Sequence, residues 1–219
     1  LSGSAGLLTA RTAVTDLYAD MSGGGGITVN EDNGITLVSV STVNSPVTVV
    51  DAGGSITATS VSSGSGLVTL QADTGNITTQ SISAGTGGVT LTADLGDIVA
   101  AGISAPGGTV TITAAAGDIT AGSISAAGGT VDISATAGSI DGDGLTNPNI
   151  TATTADLSAG TALGAVEPIL TSLANLTLNT GTGDASVIEA DNLAINGASS
   201  VAGNLTLELT TGSLTQSAA

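Results

Sequence analysis

The chain has no Lys, His, Cys, Trp or Phe, and only one Arg (Arg11), one Tyr (Tyr18) and one Met (Met21) among its 219 residues. Each absence closes off a chemistry. A single cation cannot neutralise phosphates, and there is no aromatic surface on which bases could stack, so nucleic-acid binding is excluded. Attraction to anionic lipid fails on the same count. Without thiol, imidazole or amine groups, catalysis could draw only on carboxylates and hydroxyls. A Walker-type phosphate loop lacks its Lys. Disulfides and thiolate or imidazole metal sites cannot form, which leaves oxygen-liganded ions such as calcium. No apolar run reaches the roughly 18–20 residues of a membrane-spanning helix, so no membrane insertion is expected. The first 25 residues lack the basic and apolar regions of a signal peptide. Since residue 1 is Leu, the chain reads as a mature product or an excised segment.

What is present is 33 Gly, 18 acidic residues, a net charge of -17, and a 41% hydrophobic fraction built mainly of Ala, Val, Leu and Ile. A disordered linker shows the opposite balance, with few apolar and many charged residues. The uniform acidity suits a protein that must keep β-surface soluble and discourage pairing of strand edges.

The apolar residues follow a ruler. Ile35, Ile56, Ile77, Ile98, Ile119 and Ile140 are spaced 21 apart. Val40, Val61, Ile82, Ile103, Ile124 and Leu145 keep the same spacing, as do Val47, Val68, Val89, Val110 and Val131. A fourth ladder is Val49, Leu70, Leu91, Ile112 and Ile133. Gly54, Gly75, Gly96, Gly117 and Gly138 precede the first ladder by two, and Gly66, Gly87, Gly108 and Gly129 mark another corner. Within one unit, Val110, Ile112 and Ala114 alternate with Thr109, Thr111 and Thr113. Gly117 then permits a bend, and Ile119 and Ile124 open two further short alternating runs. Period two with β-branched residues means strand, and the glycines mean corners. The expected fold is all-β: a right-handed parallel β-helix (solenoid) with three short strands per ~21-residue coil. No coil can bury its apolar face alone, so stability must come from stacking.

A longer period overlies the short one. Leu193, Leu205, Leu207 and Leu214 lie 158 residues after Ile35, Val47, Val49 and Ile56, while Leu176 follows Leu17 by 159. The expected organisation is therefore irregular coils over 1–34 and regular coils over 35–145. An irregular coil or loop segment containing Pro148 and Pro168 follows over 146–174, and the start of a second long repeat over 175–219. Residues 10–21 offer a helical alternative, but the counterpart of this segment reads as strand, so irregular strand is expected.

Runs such as GGVTLTADLGDI (87–98), GGTVTITAAAGDITAGSISA (107–126) and NLTLELTTGSLTQSAA (204–219) resemble the repeats of filamentous-haemagglutinin-like giant adhesins. That resemblance spans nearly the whole chain. It implies a bacterial surface or secreted protein of the two-partner-secretion type, with a right-handed β-helix shaft that holds something away from the cell. The family's secretion domain, with its Asn-Pro-Asn-Gly type motif, is not evident; Asn147-Pro148-Asn149-Ile150 echoes the motif mid-chain.

Candidate sites are few. Asp97 and Asp118 sit one coil apart, the spacing at which paired carboxylates can act as acid and base in a β-helix polysaccharide hydrolase. The alternative is a solvated polar ladder, continued by Asn76 and Ser139. Asp141, Asp143 and Asn147 crowd oxygen donors into a Gly-rich loop, as a calcium site requires. Glu31 with Asp32, and Glu189 with Asp191, form equivalent acidic corners, a second place for such an ion or else charge that keeps the loops soluble. Thr48, Thr69, Thr90 and Thr111, joined by Thr92 and Thr113, form an outward array like an ice-binding face, interrupted by Gln71 and Asp132; the alternative is the strand preference of Thr at exposed positions.

The function expected from these readings is a non-catalytic structural shaft segment of a secreted or cell-surface bacterial adhesin or filament. Its neighbours would be further repeats of the same parent chain, and its target a host-cell, matrix or carbohydrate receptor. The first alternative is a self-assembling extracellular fibre or sheath subunit whose neighbours stack end to end; the second is a polysaccharide-active enzyme.

Overall fold

Alternating apolar and polar residues commit each short segment to extended backbone, and the recurrence of near-identical segments gives every strand a partner one turn away. The computed structural model describes residues 2–3, 6–196 and 199–216. It is a parallel β-solenoid of about ten turns, with coils about 21 residues apart. A regular turn holds three strands, for example Ile77–Thr79, Ile82–Ser83 and Val89–Ala93. These pair in parallel with Ile98–Ala100, Ile103–Ser104 and Thr109–Ala114 of the next turn.

One column runs the length of the stack. Leu8, Ile27, Val47, Val68, Val89, Val110, Val131, Ala155, Leu176 and Ile195 are consecutive register partners. From Ile27 to Leu176 its members are buried. The parallel column of Val49, Leu70, Leu91, Ile112, Ile133 and Leu157 is likewise closed to solvent. Ala72, Ala93, Ala114 and Ala135 stack at a third inward position, where the narrow interior has room for a methyl group and little more.

The segment expected as irregular strand is one. Asp16–Met21 alternates exposed and buried residues, with Leu17, Ala19 and Met21 inward, and its register shifts between Leu17 and Tyr18. One ladder assignment needs correction. The partner above Ile124 is Ile150, not Leu145, whose side chain is 61% exposed. Between them the chain loops out over 143–149 and then returns. Asn149 anchors the return: its Nδ2 donates to Asp143 Oδ1 at 2.7 Å and its Oδ1 accepts from the Leu170 N–H at 2.8 Å. With that anchor in place Ile150 fills the core position that counting by 21 assigned to Leu145.

The glycine row at 54, 75, 96, 117 and 138 also has a different cause from the bend expected for it. None of these glycines has a positive φ. Instead, a Cβ on Gly75, Gly96, Gly117 or Gly138 would overlap the carbonyl oxygen of the glycine one turn below. Successive turns touch backbone to backbone along this seam, and a side chain has no place there.

The longer repeat survives in three dimensions. Ile35 pairs with Ile56, and Leu193 with Leu214; Val29 pairs with Val49, and Val187 with Leu207. Leu17 pairs with Leu37, and Leu176 with Ile195. Equivalent strands do not share a column, however. Val47 belongs to the column just traced, whereas its counterpart Leu205 stacks on Ala185, Leu163 and Ile140, above the Ile35 ladder. The long repeat therefore spans a non-integral number of turns.

Candidate functional site

The polar residues form rows because the coils do. The row beside the glycine seam runs Ser55, Asn76, Asp97, Asp118, Ser139. Each side chain accepts a hydrogen bond from the backbone N–H of the next member. Asn76 N donates to Ser55 Oγ at 3.0 Å, Asp97 N to Asn76 Oδ1 at 2.8 Å, Asp118 N to Asp97 Oδ1 at 2.9 Å, and Ser139 N to Asp118 Oδ1 at 2.7 Å. The pair considered as acid and base is thus part of a staple between turns at the seam. Asn192 and Ser213 repeat the contact at 2.9 Å in the second copy. Short oxygen-bearing side chains suit the position because they reach one strand spacing, about 4.8 Å, and no further.

In the loop expected to bind calcium, the chain itself engages the acidic oxygens. Asp141 Oδ1 accepts from the Val166 N–H at 2.9 Å and its Oδ2 from Ser139 Oγ at 3.1 Å. Asp143 Oδ1 accepts from the Leu145 N–H at 3.1 Å as well as from Asn149. It is thus Asn149, two residues beyond the expected ligand Asn147, that joins Asp143. Among the described residues no group of three or more acidic side chains converges as metal ligands would.

Glu31 and Glu189 are not solvated corners. They are 1% and 0% exposed, and both face the core. Glu31 accepts from the hydroxyl of Thr12, from the Val14 N–H at 3.3 Å, and from the Asp32 N–H at 3.1 Å. Glu189 accepts from the hydroxyl of Thr171 at 2.7 Å, the Leu173 N–H at 3.1 Å, and the Ala190 N–H at 2.9 Å. These three donors correspond between the two copies, and Glu189 accepts in addition from the Asp191 N–H at 3.4 Å. Each glutamate ties the turn beneath it to its own strand, and at Glu189 one of the donors, the Leu173 N–H, is itself buried. The signal lies in the alternation: Ile27, Val29, Glu31 and Val187, Glu189 share one parity, and that parity points inward.

Asp51 has the same parity and lies directly beside Glu31 in register. Its Oδ1 accepts from the N–H groups of Gly53 at 3.0 Å and Gly54 at 2.8 Å, and its Oδ2 is buried with no hydrogen-bond partner. On the outer surface the Thr row (Thr48, Thr69, Thr90, Thr111) is in register and half-buried, and Asp132 and Asp156 continue it as direct neighbours. Asp156 is held above the ordinary carboxylate range, first by desolvation and then by the adjacent Asp132 charge.

A surface depression of about 340 Å³ lies over Thr151, Ser172, Leu173 and Asn192, with Asp191 as its titratable group. One carboxylate among hydroxyls and methyl groups has no second group to share acid–base work. No family model, curated protein or solved structure matches the chain.

Proposed function

We propose that the chain is a non-catalytic structural shaft segment of a secreted or cell-surface bacterial adhesin or filament. The supporting observation is the ten-member column from Leu8 to Ile195, a single repeated contact carried through the whole stack. Polar side chains at the seam and at the inner corners are spent on joining turns, as in the Ser55–Ser139 row and at Glu31 and Glu189. Ten rungs at about 4.8 Å give a rod on the order of 50 Å long, stiffened by a continuous backbone ladder on each face. The resemblance of the coil sequences to filamentous-haemagglutinin-like repeats supports display of the shaft on a bacterial surface. Contact with a host-cell, matrix or carbohydrate receptor then falls to loops such as 143–149 or to other parts of a parent chain.

Immunogold labelling of intact source cells with antibody to the purified chain tests this reading. Label outside the cell, at a distance from the envelope, is the expected result. Label that appears only after lysis would overturn it.

A further inference from the structure

We propose that a cleft beside the loop 143–149 takes an apolar side chain from a basic segment of another protein. This deepens the reading of that loop as a contact surface, and rests on it.

The two long repeats agree on the inside and differ on the outside. Inward, Thr171 and Glu189 repeat the contact of Thr12 and Glu31. Outward, Leu170, Ile188 and Glu208 are consecutive register partners in the second copy. The equivalent partners in the first copy are Arg11, Asn30 and Val50. Stacking constrains the inward side, so nothing in the coil itself asks for aliphatic side chains at 170 and 188. Two polar residues of one copy give way to two aliphatic ones in the other, on a face that the core does not use.

The loop makes this face concave. Thr146 and Pro148 border, with Leu170, Ile188 and Ala190, a cleft of about 150 Å³. An apolar cavity of about that volume accepts a benzene ring, so one Leu, Met or Phe side chain fits. The loop is held against the strand from both sides of Asn149. Its N–H donates to the Leu170 carbonyl at 2.7 Å, its Oδ1 accepts from the Leu170 N–H at 2.8 Å, and its Nδ2 donates to Asp143. Pro148 adds a fixed φ. The cleft is therefore formed before anything enters it, which lowers the ordering cost of binding.

Charge names the occupant. Glu208 stands beside Ile188 in register, one strand spacing of about 4.8 Å away. On the loop side, Asp143 holds the Asn149 side chain, and the Glu167 carboxyl lies over Gly144, where a Cβ would be 3.4 Å from Glu167 Cδ. The sole cation of the chain, Arg11, belongs to the first copy and pairs with Asp32. An apolar cleft flanked by carboxylates suits an aliphatic or aromatic anchor with Lys or Arg on either side of it. A second copy of this chain fits poorly, since it brings a net charge of -17 and one Arg.

NMR titration of the isotope-labelled full chain with the peptide acetyl-Lys-Lys-Leu-Lys-Lys-amide tests the proposal. Backbone shifts should concentrate at Thr146, Leu170, Ile188 and Ala190 and shrink in high salt. A probe with Ser in place of its Leu should bind about tenfold more weakly, and so should one with Gln in place of every Lys. Ile188→Asn, which introduces the residue type of the first copy at this position, should weaken the Leu probe about tenfold and leave the inward core intact. Glu208→Gln should weaken it about threefold, whereas Asp94→Asn, the same loss of charge several turns below, should not. Equal binding of the Leu and Ser probes, or equal losses from Glu208→Gln and Asp94→Asn, would reduce the attraction to net charge and overturn the proposal. So would indifference to Ile188→Asn. Self-association in sedimentation velocity that Ile188→Asn abolishes would give the cleft to a second copy instead. A failed titration beside extracellular immunogold label would sink this proposal alone; label found only after lysis would sink the display reading and leave the titration to stand.

Discussion

The two copies of the long repeat, residues 16–57 and 175–215, carry the same pattern into different surroundings. In the first, Val47, Val49 and Ile56 are sealed by the turn above; in the second, Leu205 and Leu214 stand half open. Yet the buried glutamate of each copy collects the same donors, Thr12 and Val14 in one, Thr171 and Leu173 in the other. The copies also rest on different columns, Val47 on Ile27 and Leu205 on Ala185. Local sequence therefore decides what a strand is and which of its residues face inward, whereas the residue count along the chain decides what it stacks on. A solenoid tolerates this because each inward position asks only for apolar volume from its neighbour.

The comparison can be tested by mutation. The largest expected effect is at Leu91, which is fully buried between Leu70 and Ile112. Leu91→Ala should cost about 2–5 kcal/mol, read as a lowered urea midpoint by circular dichroism. Leu207→Ala, at an inward position of the uncovered end, should cost less than about 1 kcal/mol; equal losses would mean that the end is not open. Next come the glutamates. Glu31→Ala and Glu189→Ala each take the acceptor from three donors and leave a void in the core, and should each cost about 1–3 kcal/mol, with the Gln variants milder because they keep an acceptor. Clearly unequal losses would break the equivalence of the two copies. Asp118→Ala removes one staple at the exposed seam and should cost about 0.5–1.5 kcal/mol, with faster hydrogen exchange at the Ser139 N–H.

The smallest effect has the opposite sign. Burial and the Asp132 charge raise the Asp156 carboxyl above its ordinary range. The folded chain therefore holds this proton more tightly than the unfolded one. The site's contribution to stability is complete below the unfolded carboxyl range, about pH 4, and is lost as pH rises through the folded value. Asp156→Asn should raise the urea midpoint at pH 7 and leave it unchanged near pH 3. A stabilisation that persisted at pH 3 would place its cause elsewhere.

The solenoid is legible before any coordinates because every inward position is written many times. Ile35 through Ile140 repeat one environment, and period two within each run separates inside from outside. Counting fails where residues are inserted without changing the pattern on either side. Leu145 satisfies the spacing and Ile150 satisfies the space, and only the Asn149 anchor decides between them. The rows of polar residues are legible as rows, but their work is not. Asp97 and Asp118 are in register as expected, and what the spacing does not reveal is that each receives the N–H of the turn above it. Glu31 and Glu189 read as solvating charge by residue type, although their parity with Val29 and Val187 already places them inside.

The Leu8 to Ile195 column has a genetic consequence. Excising residues 77–97 would join Asn76 to Ile98, set Ile98 over Ile56 and Val110 over Val68, and leave both apolar columns unbroken. Recombination between such near-identical stretches can therefore lengthen or shorten the rod by whole steps of about 4.8 Å without compensating substitutions. Reach becomes a heritable quantity that changes in units of one coil.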